Sequence, residues 1–204
     1  GYAANATCAP SRASIMTGKY ATRFGYEFTP VPDPARFILT WLAEEDDAEL
    51  KGRIDREVAN NLPSYFDMGM PTEQITIAEV LKDAGYYTAH IGKWHLGITN
   101  GMDPQSQGFV DSLSLAGSSY LPENDPEVVN AKFDTSIDKM VWSTSQYAAR
   151  FNGSKPFAPD KYVTDYYTDE ALKVIENNRN QPFFLYLSHW AIHNPLQALR
   201  SDVE

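Results

Sequence analysis

Cysteine, positive charge and long apolar runs are all scarce in this sequence of 204 residues, and each shortage excludes a class of protein. The single cysteine, Cys8, rules out an internal disulfide framework and leaves the redox compartment open. Lys and Arg number 17 against 27 Asp and Glu, so the net charge is −10. This balance argues against nucleic acid as a partner, because nucleic-acid-binding proteins present a basic patch. No apolar run is long enough to span a membrane.

The length and the composition predict one globular domain. A chain of 204 residues can bury one substantial core but is short for two. Its 43% hydrophobic and 22% charged residues are ordinary for a globular protein. The sequence starts without methionine, close to its main motif, and shows no signal peptide. We therefore expect a partial chain from which a targeting segment is missing.

The stretch from Cys8 to Gly18 predicts a helix that begins beside a possible nucleophile. Pro10 is favourable at a first helical position, and Gly18 suits the left-handed turn that ends a helix. Cys8 then lies at or just before the helix N-terminus, where free N–H groups and the macrodipole favour negative charge. Arg12 falls one turn later and can point back to the same place. An acidic protein needs such a local positive cluster to hold an anionic substrate, although a lone cysteine is also common as a small buried apolar residue.

A second helix and a strand are predicted between residues 76 and 91. Thr76 and Glu79 form a capping box at the helix start, and Gly85 is placed to end the helix. The apolar side of this helix is expected to hold Ile77, Val80, Leu81 and Ala84. Residues 86–91 then predict a strand.

Lys93 and His95 follow that strand in a loop bounded by glycines. This is the carboxyl end of the strand, where ligands bind in open α/β sheets. Because the two residues are two positions apart, both side chains face the same way if the backbone stays extended. Lysine supplies a fixed charge for an anion, and histidine can move a proton near neutral pH. An ordinary surface lysine and a hydrogen-bonded loop histidine are the alternatives.

The last third of the chain again predicts a strand that is followed by histidine. Residues 163–178 predict a helix with a largely apolar face, supplied by Tyr167, Ala171, Leu172, Val174 and Ile175. The run 183–188 is almost continuously hydrophobic and predicts a central strand buried on both faces. His189 and His193 follow it. A parallel sheet would bring the carboxyl ends of its strands to one edge, so these loops would meet there.

Several segments resemble the sulfatase family. Residues 6–18 resemble its first signature, C-x-P-S-R followed by a hydrophobic pair and T-G. Residues 85–96 resemble its second signature, with G-Y-x-T near the start and G-K-W-H-L at the end. Residues 188–195 resemble S-x-x-A-P-H-x-P with Ile192 in place of a proline, and residues 107–111 resemble G-F-D with one residue inserted.

The resemblance implies an α/β fold, a three-layer sandwich with a mostly parallel central sheet, alkaline-phosphatase-like and here truncated. Residues 1–204 would form a single partial catalytic domain, with a surface excursion at about 31–70. Because many relatives are exported, the resemblance also implies a periplasmic, secreted or lysosomal location.

The implied reaction is hydrolysis of a sulfate ester, which releases an alcohol or phenol and inorganic sulfate. A formylglycine-generating enzyme would convert Cys8 to formylglycine, and a hydroxyl of its hydrated aldehyde would attack sulfur. By resemblance, His95 would take the proton from the other hydroxyl, and Arg12 would hold the nucleophile. Lys93 would clamp sulfate oxygens, while His193 would bind the sulfate and protonate the leaving oxygen. The substrate would be a sulfated small molecule or glycan.

The resemblance implies a divalent cation as well, normally Ca²⁺ and sometimes Mg²⁺. An oxygen of formylglycine at position 8 would be one of its ligands, which suits a hard cation. The family's other metal ligands are expected before residue 1 and after residue 204. We therefore expect this fragment to bind metal weakly, and alone it can be inactive.

Two other functions fit the same residues. The C-x-P-S-R core also occurs in phosphonate monoester and phosphodiester hydrolases, in which phosphorus replaces sulfur. Outside enzymes, the alternative is a non-catalytic anion-binding relative with an unmodified Cys8. We interpret His90, inside the predicted strand, as structural, and His189 as a loop residue or one that supports the site.

Overall fold

A computed structural model describes residues 2–32 and 55–203 of the chain. Its helices are α1 (Cys8–Thr17), α2 (Arg56–Asn61), α3 (Ile77–Asp83), α4 (Ser136–Thr144), α5 (Val163–Asn178) and α6 (Arg200–Val203), with 3₁₀ turns at Ala21–Phe24 and Tyr65–Asp67. Its strands are β1 (Tyr87–Gly92), β2 (Asp111–Leu115), β3 (Val128–Ala131), β4 (Ala149–Phe151), β5 (Phe183–Ser188) and β6 (Leu196–Leu199). None of the helices in these ranges has the length and apolar character that a membrane crossing requires.

The described residues divide into two compact units. The first unit holds the residues up to Gln74 together with His95–Asp103, and the second holds Ile75–Trp94 together with the residues from Pro104 onward. The single domain expected over 1–204 stays a prediction. Of the surface excursion expected at 31–70, residues 33–54 lie outside the described residues.

The helix predicted in the first signature is α1, and Cys8 is its first residue. Pro10 is therefore the third helical residue and not the first. It still lies in the first turn, where a missing N–H leaves no hydrogen bond of the helix unmade. Gly18 ends the helix as predicted, with φ 67° and its N–H donating to the Ser14 carbonyl at 2.9 Å.

The main sheet lies in the second unit and is mostly parallel. Its strand order is β4-β2-β1-β5, in which β1 pairs in parallel with β2 and β5, while β4 is antiparallel to β2. The prediction that β5 is a central strand is wrong, because among the described strands β5 pairs with β1 alone. Its residues are half-buried or exposed apart from Ser188. A separate antiparallel pair joins β3 to β6.

Helix α5 packs on one face of this sheet and has the bounds predicted from the sequence. Val163, Tyr167 and Ala171, spaced four residues apart, form a core with Ile91 of β1 and Leu113 of β2. Two residues assigned to the apolar face of α5 are exposed instead, Leu172 and Ile175. The buried face of α5 is therefore narrower than the predicted apolar face. It consists of residues at four-residue spacing from Val163.

Helix α3 begins with the predicted capping box. The Thr76 Oγ1 accepts from the Glu79 N–H at 3.2 Å, and a Glu79 carboxylate oxygen accepts from the Thr76 N–H at 2.7 Å. The predicted apolar side of this helix is not its buried side. Ile77 and Val80 are exposed, whereas Ala78 is fully buried. Periodicity over two turns located the helix but not the side of it that packs.

Replacing Tyr167 by phenylalanine is expected to raise the free energy of unfolding by about 1 kcal/mol. The Tyr167 side chain is fully buried, and its hydroxyl has no hydrogen-bond partner within residues 2–32 and 55–203. Folding therefore removes the hydrogen bonds between this hydroxyl and water and provides no new ones. The same burial raises the pKa of Tyr167. Urea unfolding of the two proteins measures the difference.

Tyr147→Phe is the matched comparison for that experiment. The Tyr147 hydroxyl lies 2.7 Å from the Pro159 carbonyl oxygen and 2.6 Å from that of Lys161. Its removal leaves these oxygens without that donor and should lower the free energy of unfolding by about 1 kcal/mol. A loss of stability in both variants would contradict the prediction for Tyr167.

Candidate active site

Cys8 and His95 are in contact within the first unit. The Cys8 Sγ lies 3.4 Å from Nδ1 of His95 and 3.7 Å from Oγ1 of Thr29. Because Cys8 opens α1, it stands among the N–H groups that have no acceptor inside the helix, and the helix dipole favours negative charge there. The free N–H groups and the helix dipole would both stabilise a negative charge that develops at position 8.

The backbone carbonyl of Pro30 sets the tautomer of His95. Nε2 of His95 lies 3.4 Å from this oxygen, and a carbonyl oxygen only accepts hydrogen bonds. In the neutral ring Nε2 therefore carries the hydrogen, and Nδ1 presents its lone pair towards Cys8. On the other side, the Tyr26 hydroxyl donates to the His95 carbonyl at 3.3 Å, and burial raises the pKa of that hydroxyl.

The backbone does not stay extended from Lys93 to His95. His95 has φ 63°, in the left-handed region. The condition under which both side chains would face the same way is therefore not met, so that prediction does not apply here. The two residues belong to different units, Lys93 to the second and His95 to the first.

Arg12 lies in the second turn of α1 and is half-buried. Its predicted role beside Cys8 stays a prediction. The neighbouring Ser11 hydroxyl donates to the Asn5 carbonyl at 2.8 Å, which ties the serine of the C-x-P-S-R core to the segment before the helix.

Lys93 follows β1 in the second unit and is buried, with 6% of its surface exposed. Its backbone N–H donates to the Ser188 carbonyl at 2.8 Å, which fixes it to the end of β5. Its Nζ lies 4.5 Å from the centroid of the Trp190 ring, a cation–π contact. The Trp190 indole N–H in turn donates to the Ser118 carbonyl at 2.8 Å.

His193 stacks on the same tryptophan, with ring centroids 3.9 Å apart. Its backbone is clamped by Tyr120, whose hydroxyl accepts from the His193 N–H at 2.9 Å and donates to the His193 carbonyl at 3.0 Å. Burial raises the pKa of Tyr120 to about 12, so this hydroxyl keeps its proton. His193 Nδ1 lies 2.8 Å from the Asn194 carbonyl oxygen, so Nδ1 carries a hydrogen and Nε2 is the nitrogen that can exchange a proton.

The structure brings the expected site residues together as two pairs, each within one unit. Cys8 contacts His95 in the first, and in the second Trp190 contacts both Lys93 and His193. Sequence reasoning missed Trp190, although it lies in the same segment as His193. It also missed Thr29 and Pro30, for which the sequence offers no signal because their contacts are tertiary.

The other two histidines of the chain lie apart from those contacts. His90 is fully buried, and its Nδ1 lies 3.0 Å from the Ser112 hydroxyl. Its ring packs against Trp94 and Phe109, as expected of a structural residue. His189 is half-buried, and its Nδ1 makes no hydrogen bond within the described part of the chain; its assignment as a supporting residue stays a prediction.

Replacing Gly92 by alanine is expected to destabilise the fold by about 3 kcal/mol and to displace Lys93. Gly92 has φ 108°, and a Cβ there would lie 2.0 Å from the Ser188 carbonyl oxygen, the acceptor of the Lys93 N–H. Thermal unfolding measures the loss. Gly85→Ala is the matched control, because Gly85 has φ 85° but no atom within 4 Å of the added Cβ, so only backbone strain of about 1 kcal/mol is expected. Equal losses in the two variants would contradict the steric argument.

The donor set around Cys8 does not make a metal centre by itself. Its polar neighbours are a histidine nitrogen and a threonine hydroxyl, whereas Ca²⁺ and Mg²⁺ prefer oxygen ligands and chiefly carboxylates. In the described ranges no group of three or more His, Cys, Asp or Glu side chains is arranged to hold a metal ion. The roles given to the two residue pairs therefore do not involve a metal ion.

The chain is similar to sulfatases over its length. The model of the sulfatase family matches residues 1–201. An arylsulfatase of Hemicentrotus pulcherrimus is 30% identical over 201 residues, which cover 96% of this chain and 30% of the relative. The N-acetylgalactosamine-6-sulfatase of Mus musculus is 29% identical over 204 residues, which cover 98% of this chain and 33% of the relative. The chain thus spans about a third of the length of these curated relatives.

A solved structure shares the fold. The crystal structure of Ps i-CgsB in complex with k-i-k-neocarrahexaose is 26% identical with a TM-score of 0.66, and the match covers 98% of this chain and 38% of that one. This likeness, with the strand order of the main sheet, confirms the predicted α/β class and its mostly parallel sheet.

Proposed function

This chain belongs to the sulfatase family, and from that premise we propose that it is the part of a sulfuric ester hydrolase that carries the nucleophile. Its fold is alkaline-phosphatase-like, as in its structural relatives. The observation that supports the reaction most directly is the 3.4 Å contact between Cys8 Sγ and His95 Nδ1. Attack on an ester needs a nucleophile with a proton acceptor beside it, and His95 has the tautomer that this role requires.

Members of the family generally use formylglycine and a metal ion. Cys8 fits the first of these, because it is half-buried at the start of α1 with a proton acceptor in contact. Formylglycine at position 8 would supply a hydrated aldehyde. One of its hydroxyls would attack sulfur as the bond from sulfur to the leaving oxygen breaks, and loss of the other hydroxyl's proton would then expel sulfate and restore the aldehyde. In this proposal His95 accepts a proton from position 8 through Nδ1, while the Pro30 carbonyl keeps the other ring nitrogen protonated.

The remaining residues act through charge and proton donation. Arg12 contributes a fixed positive charge that holds the nucleophile, and Lys93 contributes one for the sulfate oxygens. Contact with the Trp190 ring restricts the Lys93 ammonium, so less ordering is needed when sulfate binds. His193 binds the sulfate and, in its doubly protonated form, gives the Nε2 proton to the leaving oxygen, while its Nδ1 hydrogen is held by the Asn194 carbonyl.

We propose a sulfated sugar as the substrate. One relative has the name N-acetylgalactosamine-6-sulfatase, and the structural relative Ps i-CgsB was solved with an oligosaccharide. A formylglycine-generating enzyme is the proposed partner, and a periplasmic, secreted or lysosomal location is proposed by resemblance. For the metal ion we propose Ca²⁺ ahead of Mg²⁺, although the described residues do not supply its ligand set.

The mass of the tryptic peptide that ends at Arg12 tests this function first. In protein coexpressed with a formylglycine-generating enzyme, conversion of the Cys8 thiol to an aldehyde should lower this mass by about 18 Da. Hydrolysis of an aryl sulfate and of a phosphonate monoester is then compared. Faster release of sulfate supports the proposal, and faster hydrolysis of the phosphonate favours the phosphorus alternative. A thiol that stays unmodified, together with anion binding and no turnover, would favour the non-catalytic relative.

A further inference from the structure

His193 lies in a connection between β5 and β6 that we call the His193 loop (residues 190–194). Residues 191–194 of this loop are all exposed, whereas Trp190 before them and Pro195 after them are buried. Inside the loop, the His193 N–H donates to the Trp190 carbonyl at 3.0 Å. A loop with so little buried surface opens easily. The direction in which His193 presents its ring therefore depends on contacts that reach the loop from other segments.

Tyr120 makes two such contacts from the segment that follows β2. Its hydroxyl accepts from the His193 N–H at 2.9 Å and donates to the His193 carbonyl at 3.0 Å. The Tyr120 side chain is 2% exposed, and its ring stacks on that of Tyr162 with centroids 5.4 Å apart. A hydroxyl fixed inside the fold thus binds both backbone polar groups of a residue on an exposed loop.

A third contact joins the same two segments. The Trp190 indole N–H donates to the Ser118 carbonyl at 2.8 Å. The ring that this bond orients contacts the Lys93 Nζ and stacks on the His193 imidazole. The segment 118–120 therefore holds the His193 backbone through Tyr120 and the ring beside its side chain through Ser118.

The segment 118–120 is itself tied to the body of the second unit. The Ser118 N–H donates to the Gln146 carbonyl at 2.9 Å, just before β4. The Tyr120 carbonyl accepts from the N–H of Val163, the first residue of α5, at 2.9 Å. This anchoring gives the Tyr120 hydroxyl a fixed place relative to the sheet and α5.

We propose that Tyr120 is a positioning residue for His193 and directs its Nε2 proton to the leaving oxygen, an inference that rests on the proposed function. As the bond from sulfur to that oxygen breaks, its electron pair goes to the oxygen, which takes the Nε2 proton and departs as an alcohol or phenol. The donor must be within hydrogen-bond reach of the oxygen, and a displacement of about 1 Å is enough to slow such a transfer severely.

The dependence of the rate on the leaving group tests this inference. Nitrophenolate is a good leaving group without a proton, whereas phenolate is a poorer one and gains more from protonation. In fully modified protein, Tyr120→Phe keeps the buried ring and removes the hydroxyl. It is expected to lower kcat/KM about tenfold for phenyl sulfate and less than about twofold for 4-nitrophenyl sulfate. A merely structural role would lower both values together.

Two further variants extend the test. His193→Gln removes the proton donor itself and should lower kcat/KM for phenyl sulfate about 10²-fold or more, with a smaller fall for 4-nitrophenyl sulfate. Trp190→Phe keeps an aromatic ring in the loop but removes the donor to Ser118. It should lower kcat/KM for phenyl sulfate about threefold, again with less effect on the nitrophenyl ester.

Tyr147→Phe is the matched control, because the Tyr147 hydroxyl also lies within hydrogen-bond distance of two backbone groups, the carbonyls of Pro159 and Lys161. Its kcat/KM should stay within about twofold of the wild type for both esters. Thermal unfolding of every variant shows that the fold is retained.

The outcomes separate this inference from the proposed function. If His193→Gln discriminates between the two esters but Tyr120→Phe does not, the inference is overturned and the proposed function stands. Equal falls for the two esters in His193→Gln would remove the acid role from the proposed function, and the inference with it. If the modified wild type hydrolyses neither sulfate, the proposed function itself fails.

Discussion

Alanine in place of Cys8 is expected to lower kcat/KM for a sulfate ester by about 10⁴-fold or more. The nucleophile would derive from this side chain, and no other cysteine exists in the sequence to replace it. The Thr29 hydroxyl at 3.7 Å and His95 at 3.4 Å would both remain, but neither substitutes for an attacking oxygen at position 8. Steady-state kinetics with an aryl sulfate on fully modified wild-type protein gives the reference rate.

Ile15→Ala provides the control on the same helix. Ile15 is 62% exposed on α1, so this change should leave kcat/KM within about twofold of the wild type. A Cys8→Ala variant that retains more than a tenth of wild-type activity would show that position 8 is not the nucleophile. The tryptic peptide mass of the same preparation shows whether the wild-type reference carried the aldehyde.

Glutamine in place of His95 is expected to lower kcat by about 10²–10⁴-fold. The glutamine amide can still donate to the Pro30 carbonyl, but it cannot take a proton from position 8. Thermal unfolding separates this role from a structural one, because the variant should keep the melting temperature of the wild type while its kcat falls.

Ile98→Ala is the control for His95, since Ile98 is 41% exposed and three residues away in the same loop. Its kcat should stay within about twofold of the wild type. A His95→Gln variant with a kcat within threefold of wild type would exclude His95 as the proton acceptor.

Local signals in the sequence predicted the elements that depend on local physics. The capping box at Thr76, the left-handed turn at Gly18 and the bounds of α5 each follow from neighbouring residues. The two signature segments also contain Cys8 and His95, which the fold brings into contact. That contact joins positions 87 residues apart, so the resemblance predicted it where spacing could not.

Tertiary contacts account for what the sequence did not predict. The hydrophobic run of β5 indicates burial but not strand order, and in the described sheet β1 has the interior place. The left-handed backbone at His95 is not expected of a histidine flanked by Trp94 and Leu96. Trp190 contacts Lys93 and His193 only once β1 and β5 have paired, so no window of sequence contains that arrangement.

The parallel pairing of β1 with β5 also has a consequence for synthesis of the protein. Tyr87 pairs with Phe183, roughly a hundred residues later in the chain, a separation that slows folding because a long loop must close first. At translation rates of about 5–20 residues per second, β1 leaves the ribosome about 5–20 s before its partner exists. During that interval one edge of β1 is open to pairing with other nascent chains. The yield of folded protein therefore depends on how well that edge is shielded until β5 arrives.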